Sequence, residues 1–175
     1  MAGMLMISIV ERKYSELLPL ELRLTEGINQ LSHGVLTAIT SHRLSLALFA
    51  MQSITIKLTV NDHSRFYHGI ITTCTAQQQD NRSFLFSLVI KPKLYFLSLD
   101  KQSRLFQQTN LSAIIQTLLQ NNHIRYQLNC IASPKKIDFC AQYQETTLNF
   151  LNRILAHYAV SYYFRSTQYH QEIIL

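Results

Sequence analysis

The sequence predicts an α+β chain, with an antiparallel β region followed by a smaller region carrying two helices. Residues 53–90 alternate apolar and polar side chains in three runs separated by turn-forming residues, the mark of half-buried strands. After Leu99 the apolar spacing lengthens to the helical period of about 3.6. Hydrophobic residues make up 47% of the 175 positions, against four Gly and three Pro, so the chain can bury a core and is not linker-rich. That length suits one domain, or two small ones sharing a core.

The first third is the least patterned. Met4–Val10 is apolar enough for a strand, Tyr14–Leu24 shows no clean period, and Glu26–His33 has loop composition. Leu36–Met51 leaves helix and strand open. At Ser53 the pattern sharpens. Ile54, Ile56, Leu58 and Val60 alternate with Thr55, Lys57 and Thr59, which places them on one face. Asn61–Ser64 is turn chemistry, Arg65–Cys74 a second strand, Gln77–Arg82 a polar turn. Phe84, Phe86, Leu88 and Ile90 line a third strand, which Pro92 ends because it lacks a ladder donor.

Leu111, Ile114, Ile115, Leu118 and Leu119 then mark one face of a helix, with Asn110 as its N-cap and Asn121–Asn122 at its end. Ile137, Phe139, Ala141 and Tyr143 alternate as a strand. Thr146 or Thr147 caps a second helix running to about Tyr158, with Leu148, Leu151, Ile154 or Leu155, and Tyr158 inward. Val160–Arg165 and Tyr169–Leu175 form a closing hairpin around Ser166–Gln168.

Composition narrows the chemistry. No CxxC, HExxH or i, i+4 His pair is present, and His63 and His68 lie five apart across a turn and a strand. Cys74, Cys130 and Cys140 are sparse and odd in number, as reduced thiols are, and nothing marks one as a nucleophile. Four scattered Gly do not build a phosphate loop. The net charge is +6, with Lys91, Lys93, Lys101, Arg104, Arg125, Lys135 and Lys136 opposed only by Asp100 within their span. Such a stretch suits a solvated surface or an acidic partner, but no nucleic-acid motif accompanies it. The apolar start MAGMLMISIV has its charges after it, the wrong order for a signal peptide.

Five motifs occur in a fixed order. They are F-Y-H-G-I at Phe66–Ile70, an aromatic-rich strand after Pro92 at Leu94–Leu97, and R-x-F-Q at Arg104–Gln107. Q-Y-x-E-x-x-L-x-F at Gln142–Phe150 and Y-Y-F at Tyr162–Phe164 complete them. Together they resemble the N-terminal hub of VgrG-type spike proteins of type VI secretion systems, and the hub of phage baseplate and late-control tail proteins. The resemblance spans Arg65–Phe164 and fits the first 50 residues poorly. It carries scaffold roles onto Phe66, Tyr67, His68, Gly69, Arg104, Phe106, Gln142, Tyr143, Glu145, Leu148, Phe150, Tyr162, Tyr163 and Phe164. Gly69 is expected to permit close backbone approach. Tyr143, Leu148, Phe150 and Leu151 are expected to anchor the second helix to the sheet, and Arg153 to pair with Glu145. The sequence departs from the family in having Tyr95 and Phe96 in place of a Trp, Asn149 in place of an acidic residue, and Ala159 in place of a glycine.

The resemblance implies a barrel-like tube domain over residues 1–99 and an α/β domain over 100–175, incomplete relative to the family. It implies a structural hub segment with no catalytic residue, cofactor or small-molecule substrate. Such a hub forms a homotrimer, docks on a hexameric tail-tube protein and meets baseplate or effector proteins. It assembles in the cytoplasm and leaves with the apparatus, or in a virion, without a signal peptide. The contrasting reading is a small basic module that binds nucleic acid or an acidic protein. Because the meander supplies only three or four strands, fewer than a barrel takes, open edges and self-association are expected.

Overall fold

A computed structural model of the chain describes residues 5–80, 82–129 and 136–175. Met4, Asn81, Cys130 and Lys135, which figure in the expectations above, lie outside the described residues. The chain separates into two compact units.

The first unit holds the residues up to Glu26, Ser32–Pro92 and the turn Ser166–Gln171. Its strands are β1 (Leu5–Ile9), β2 (Leu18–Thr25), β3 (His33–Thr40), β4 (Ser53–Val60), β5 (His63–Asp80) and β6 (Ser83–Lys91). They form one antiparallel sheet in the order β1-β4-β5-β6-β3-β2. The end strands β1 and β2 come side by side, so the sheet curls into a nearly closed barrel. The meander read from the sequence is therefore β4-β5-β6, but it does not stand alone. The first 40 residues flank it with three further strands, β1 falling where the apolar start suggested one, so the sheet has more strands than the meander alone supplies. Strand β5 also runs on through Gln77–Asp80, where the sequence suggested a turn.

The alternation decides which side chains fill this barrel. Ile54, Ile56, Ile71, Leu88, Ile90, Leu36 and Ala38 are fully buried, all on inward positions of their strands. Between β3 and β4 the chain makes a 3₁₀ turn at Leu46–Leu48, capped by the Ser45 hydroxyl accepting the Ala47 N–H. That turn drops Phe49 into the core, where it stacks on Tyr14 at 5.4 Å and meets Phe86 at the same distance.

The second unit holds Gly27–Leu31, Lys93–Arg165 and Glu172–Leu175. Its elements are β7 (Lys101–Thr109), α1 (Leu111–Gln120), β8 (Tyr126–Gln127), β9 (Ile137–Thr146), α2 (Thr147–His157), β10 (Tyr163–Ser166) and β11 (Gln171–Ile174). β7 and β9 form an antiparallel ribbon, while β11 lies between β10 and β8, parallel to the latter. The two helices bury the faces that the spacing assigned to them, and the alternative of Ile154 or Leu155 resolves to both. Asn110 caps α1 by accepting the Ala113 N–H at 2.9 Å, and Thr146 caps α2 by accepting the Asn149 N–H at 3.1 Å.

One expectation is corrected here. Leu94–Leu97 is not a strand but part of a 3₁₀ helix, Lys93–Ser98, because that winding turns both Leu94 and Leu97 into the second core.

Candidate functional site

The motif residues form two buried constellations, one in each unit. In the first, the F-Y-H-G-I box sits on β5 opposite β4, with Tyr67 paired to Ile56 and Gly69 to Ile54. Tyr67 points inward and its hydroxyl donates to the Ile90 carbonyl at 3.1 Å, so the phenol is buried but satisfied. Burial pushes its pKa up to about 12. Its ring covers Gly34, where an added Cβ would lie 2.6 Å from the ring edge. Gly69 is closed off by backbone, since a Cβ there would meet the Lys91 carbonyl oxygen at 2.7 Å. Gly34 escaped the sequence reading. Its signal was a glycine inside a run that is otherwise β-prone.

Phe66 and His68 lie on the opposite, outer face of β5 and are half-buried. His68 shares a 2.7 Å hydrogen bond between its Nδ1 and the Thr55 hydroxyl, directly across the ladder.

In the second unit, β7 and β9 bring the R-x-F-Q and Q-Y-x-E motifs into register, with Arg104 opposite Gln142 and Phe106 opposite Cys140. Phe106 stacks on Phe150 at 5.7 Å, and the Arg153 guanidinium lies 5.2 Å from the other ring partner's centre, that of Phe150. Arg153 also bonds Glu145 at 2.5 Å and the Ala141 carbonyl at 2.8 Å, the pairing expected from the sequence. Gln142 is buried; its amide donates to the Glu145 carbonyl at 3.0 Å and faces the Thr147 hydroxyl at 3.4 Å. Arg104 is held by Gln102, which in turn holds Asp100. Leu148 and Phe150 are buried on α2, as expected.

Tyr143 is the exception. It is 73% exposed and anchors nothing, and Phe139 beside it on the same face is 63% exposed. The ladder slips by one residue between Gln102 and Arg104, and Gln144 takes a left-handed conformation at φ 47°. This bulge, together with the polar partners waiting for Gln142, sets the phase of the strand. Cys140 and Gln142 turn inward, while Phe139, Ala141 and Tyr143 turn outward.

Tyr162 is buried and meets the half-buried Phe164 edge-on at 5.9 Å, whereas Tyr163 between them is exposed. The loop Gly27–Leu31 fastens this strand entry. Asn29 accepts the Tyr162 N–H through Oδ1 at 2.8 Å and donates its own N–H to the Tyr162 carbonyl at 2.9 Å. Asn29 does this at φ 58°, a conformation Asn tolerates well. Nothing in the sequence singled it out.

Among the described residues no three His, Cys, Asp or Glu side chains cluster as metal ligands would. Burial raises the Cys74 thiol to about 11 and also raises Cys140, so neither is poised as a thiolate. Of the basic stretch, Lys93 donates to the His123 carbonyl at 2.8 Å and Arg104 is turned toward Gln102. Among the described residues no helix is long and apolar enough to cross a membrane.

One backbone feature is open. β4 accompanies β5 only as far as Ile70, and Gln52 and Met51 close the ladder at Ile71. From there β5 pairs with β6 to Asp80, and no described strand lies on its other side. The loop around Leu46 lies against Ile71–Cys74, with an open depression of about 280 Å³ between them. Thr75–Asp80 is exposed.

Comparison with known proteins points one way. The family model for the phage tail baseplate hub (GPD) matches residues 25–175. The type VI secretion system spike protein VgrG1a of Pseudomonas aeruginosa is 24% identical over 112 residues, which cover 63% of this chain and 17% of that protein. VgrG3 of Vibrio cholerae, another spike protein of that system, is 36% identical over 96 residues, covering 54% of this chain and 9% of VgrG3. Among solved structures, the E. coli c3393 protein matches with a TM-score of 0.74 at 14% identity, over 97% of this chain and 48% of that one. It is described as a component of the type VI secretion system with structural similarity to the T4 tail proteins gp27 and gp5. The chain thus spans only a small part of the spike proteins it matches.

Proposed function

Because the chain belongs to the phage tail baseplate hub family, we propose that it is a structural hub segment of a contractile injection apparatus and turns over no substrate. The observation that carries this reading is the nearly closed six-stranded barrel whose β5 continues past its neighbour as an unpaired edge. An uncovered strand edge presents a row of free backbone donors and acceptors that pairs readily with another strand. A ring of such barrels, closed edge to edge, makes a tube. In this reading three copies assemble on a hexameric tail tube and contact baseplate or effector proteins. The chain joins the apparatus in the cytoplasm and leaves with it.

The test is assembly. Light scattering should give a mass near three chains at high concentration. Cosedimentation with hexamers of the cognate tube protein should retain the chain. Lysine at both Thr75 and Gln77, which are exposed, should block association without unfolding the barrel, since charge on an edge opposes pairing. A monomer at every concentration that also fails to cosediment overturns the reading. DNA binding that collapses steeply with salt would instead favour the basic-module reading.

A further inference from the structure

Beside the free part of β5 runs a groove whose lining carries chemistry that ring closure does not call for. β4 stops pairing with β5 at Ile70, and the loop before it swings off the edge through Met51, left-handed at φ 56°. An open groove of about 410 Å³ lies past that point. Its lining joins Ala76 and Gln78 of β5, Phe84 of β6, and Arg43, Leu44 and Leu46 of the loop. The loop is held in place, because the Ser45 hydroxyl accepts the Ala47 N–H at 3.3 Å and Phe49 is wholly buried. Leu46 nevertheless stays 46% exposed. Arg43 is exposed too, and among the described residues its side chain has neither ion pair nor hydrogen bond. The lining contains that one cation and no carboxylate. Asp80, at the end of β5, turns to its own hairpin, where it accepts the Arg82 N–H at 2.7 Å.

An open strand edge, an apolar lining and an unpaired cation are the parts of a site that accepts a strand. We propose that the groove takes an extended peptide segment of another protein, one that carries an apolar side chain and a carboxylate two residues apart. Alternate side chains of a strand share a face, so both groups enter the groove together. The peptide backbone pairs with Thr75–Asp80, the apolar side chain lies between Leu46 and Phe84, and the carboxylate meets Arg43. The chain's own net charge of +6 favours an acidic partner over a second copy in this groove. The proposal rests on the hub reading only for the unpaired edge. One edge holds one strand at a time, so the docked peptide and ring closure exclude each other. The peptide covers the edge of the unassembled chain.

Fluorescence anisotropy with a labelled peptide, Thr-Val-Thr-Leu-Thr-Asp-Thr-Val, tests this on the full chain where light scattering gives a monomer. Binding should saturate. Replacing the peptide's Asp by Asn, or Arg43→Glu in the chain, should weaken it about fivefold, as loss of a part-exposed ion pair does. Thr in place of the peptide's Leu should cost about as much. A peptide with Lys in place of Asp should bind Arg43→Glu better than the wild type. Amides of Thr75–Asp80 should gain hydrogen-exchange protection on binding while those of α2 do not. Absence of saturable binding to the monomer overturns the proposal, and so does binding indifferent to the Asp and Leu replacements. If the peptide fails and Arg43→Glu weakens a trimer instead, the groove serves a second copy; the proposal falls and the hub reading stands. If the peptide binds and the chain never assembles, the hub reading falls alone. Should no monomer exist at any workable concentration, saturating peptide must lower the mass, and an unchanged mass overturns the proposal.

Discussion

At the scale of the residue, the motif positions act through space and contact. Gly69 faces the Lys91 carbonyl across the ladder, and backbone cannot retreat as a side chain can. Gly69→Ala should therefore destabilise by about 1–3 kcal/mol, the usual range for overpacking, read as a lower denaturant midpoint. Phe150 is wholly buried between Phe106 and the α2 core. Phe150→Ala should cost about 3–5 kcal/mol in the same measurement. His68 gives the pH dependence. Its folded pKa is lowered by burial, so the unfolded chain takes up the proton first. The stability it contributes is complete above the unfolded value of about 6.5 and declines as pH falls through that value toward the lower folded one. Denaturation midpoints measured on both sides of that window should show this slope in the wild type, and His68→Gln should flatten it.

At the scale of the element, the end of α2 turns on a residue that carries a side chain where glycine would be unstrained. Val160 N–H returns to the Leu155 carbonyl at 2.9 Å and Ala159 N–H to the Ala156 carbonyl at 3.2 Å, which is a Schellman stop. Its pivot is Ala159 at φ 54°, where a Cβ is crowded and glycine is the usual choice. Ala159→Gly should raise stability by about 1 kcal/mol, visible as a higher denaturant midpoint. At the other end Thr146 accepts the Asn149 N–H, and Thr146→Ala should cost about 1 kcal/mol. Between β7 and β9 the bulge at Gln144 does what neither strand's composition reveals. Of the set Ile137, Phe139, Ala141 and Tyr143, Ile137 stays buried, but Phe139 and Tyr143 face solvent beside the bulge.

At the scale of the whole molecule, the sequence by itself determined the parts whose signals are local. The β4-β5-β6 meander, both helices, their caps and the closing hairpin follow from period and turn chemistry, since each buries a face set by its own spacing. The pairing of Glu145 with Arg153 was legible too, because a helix start places them within reach. Only the tertiary structure decided the rest. β3 carries no clean alternation and becomes a strand because β6 offers it an edge; β2, where Leu18, Leu20, Leu22 and Leu24 do alternate with Pro19, Glu21, Arg23 and Thr25, then pairs with β3. Lys93–Ser98 winds into 3₁₀ form because the second core takes in both Leu94 and Leu97. Asn29 matters because the backbone of Tyr162, more than a hundred positions away, needs its carboxamide. Tyr143 faces out because Gln142 finds polar partners inside. Apart from Gln142, whose partners sit three and five residues on, the deciding group lies far along the chain, and strand pairing and burial reward contacts that no short window of sequence contains.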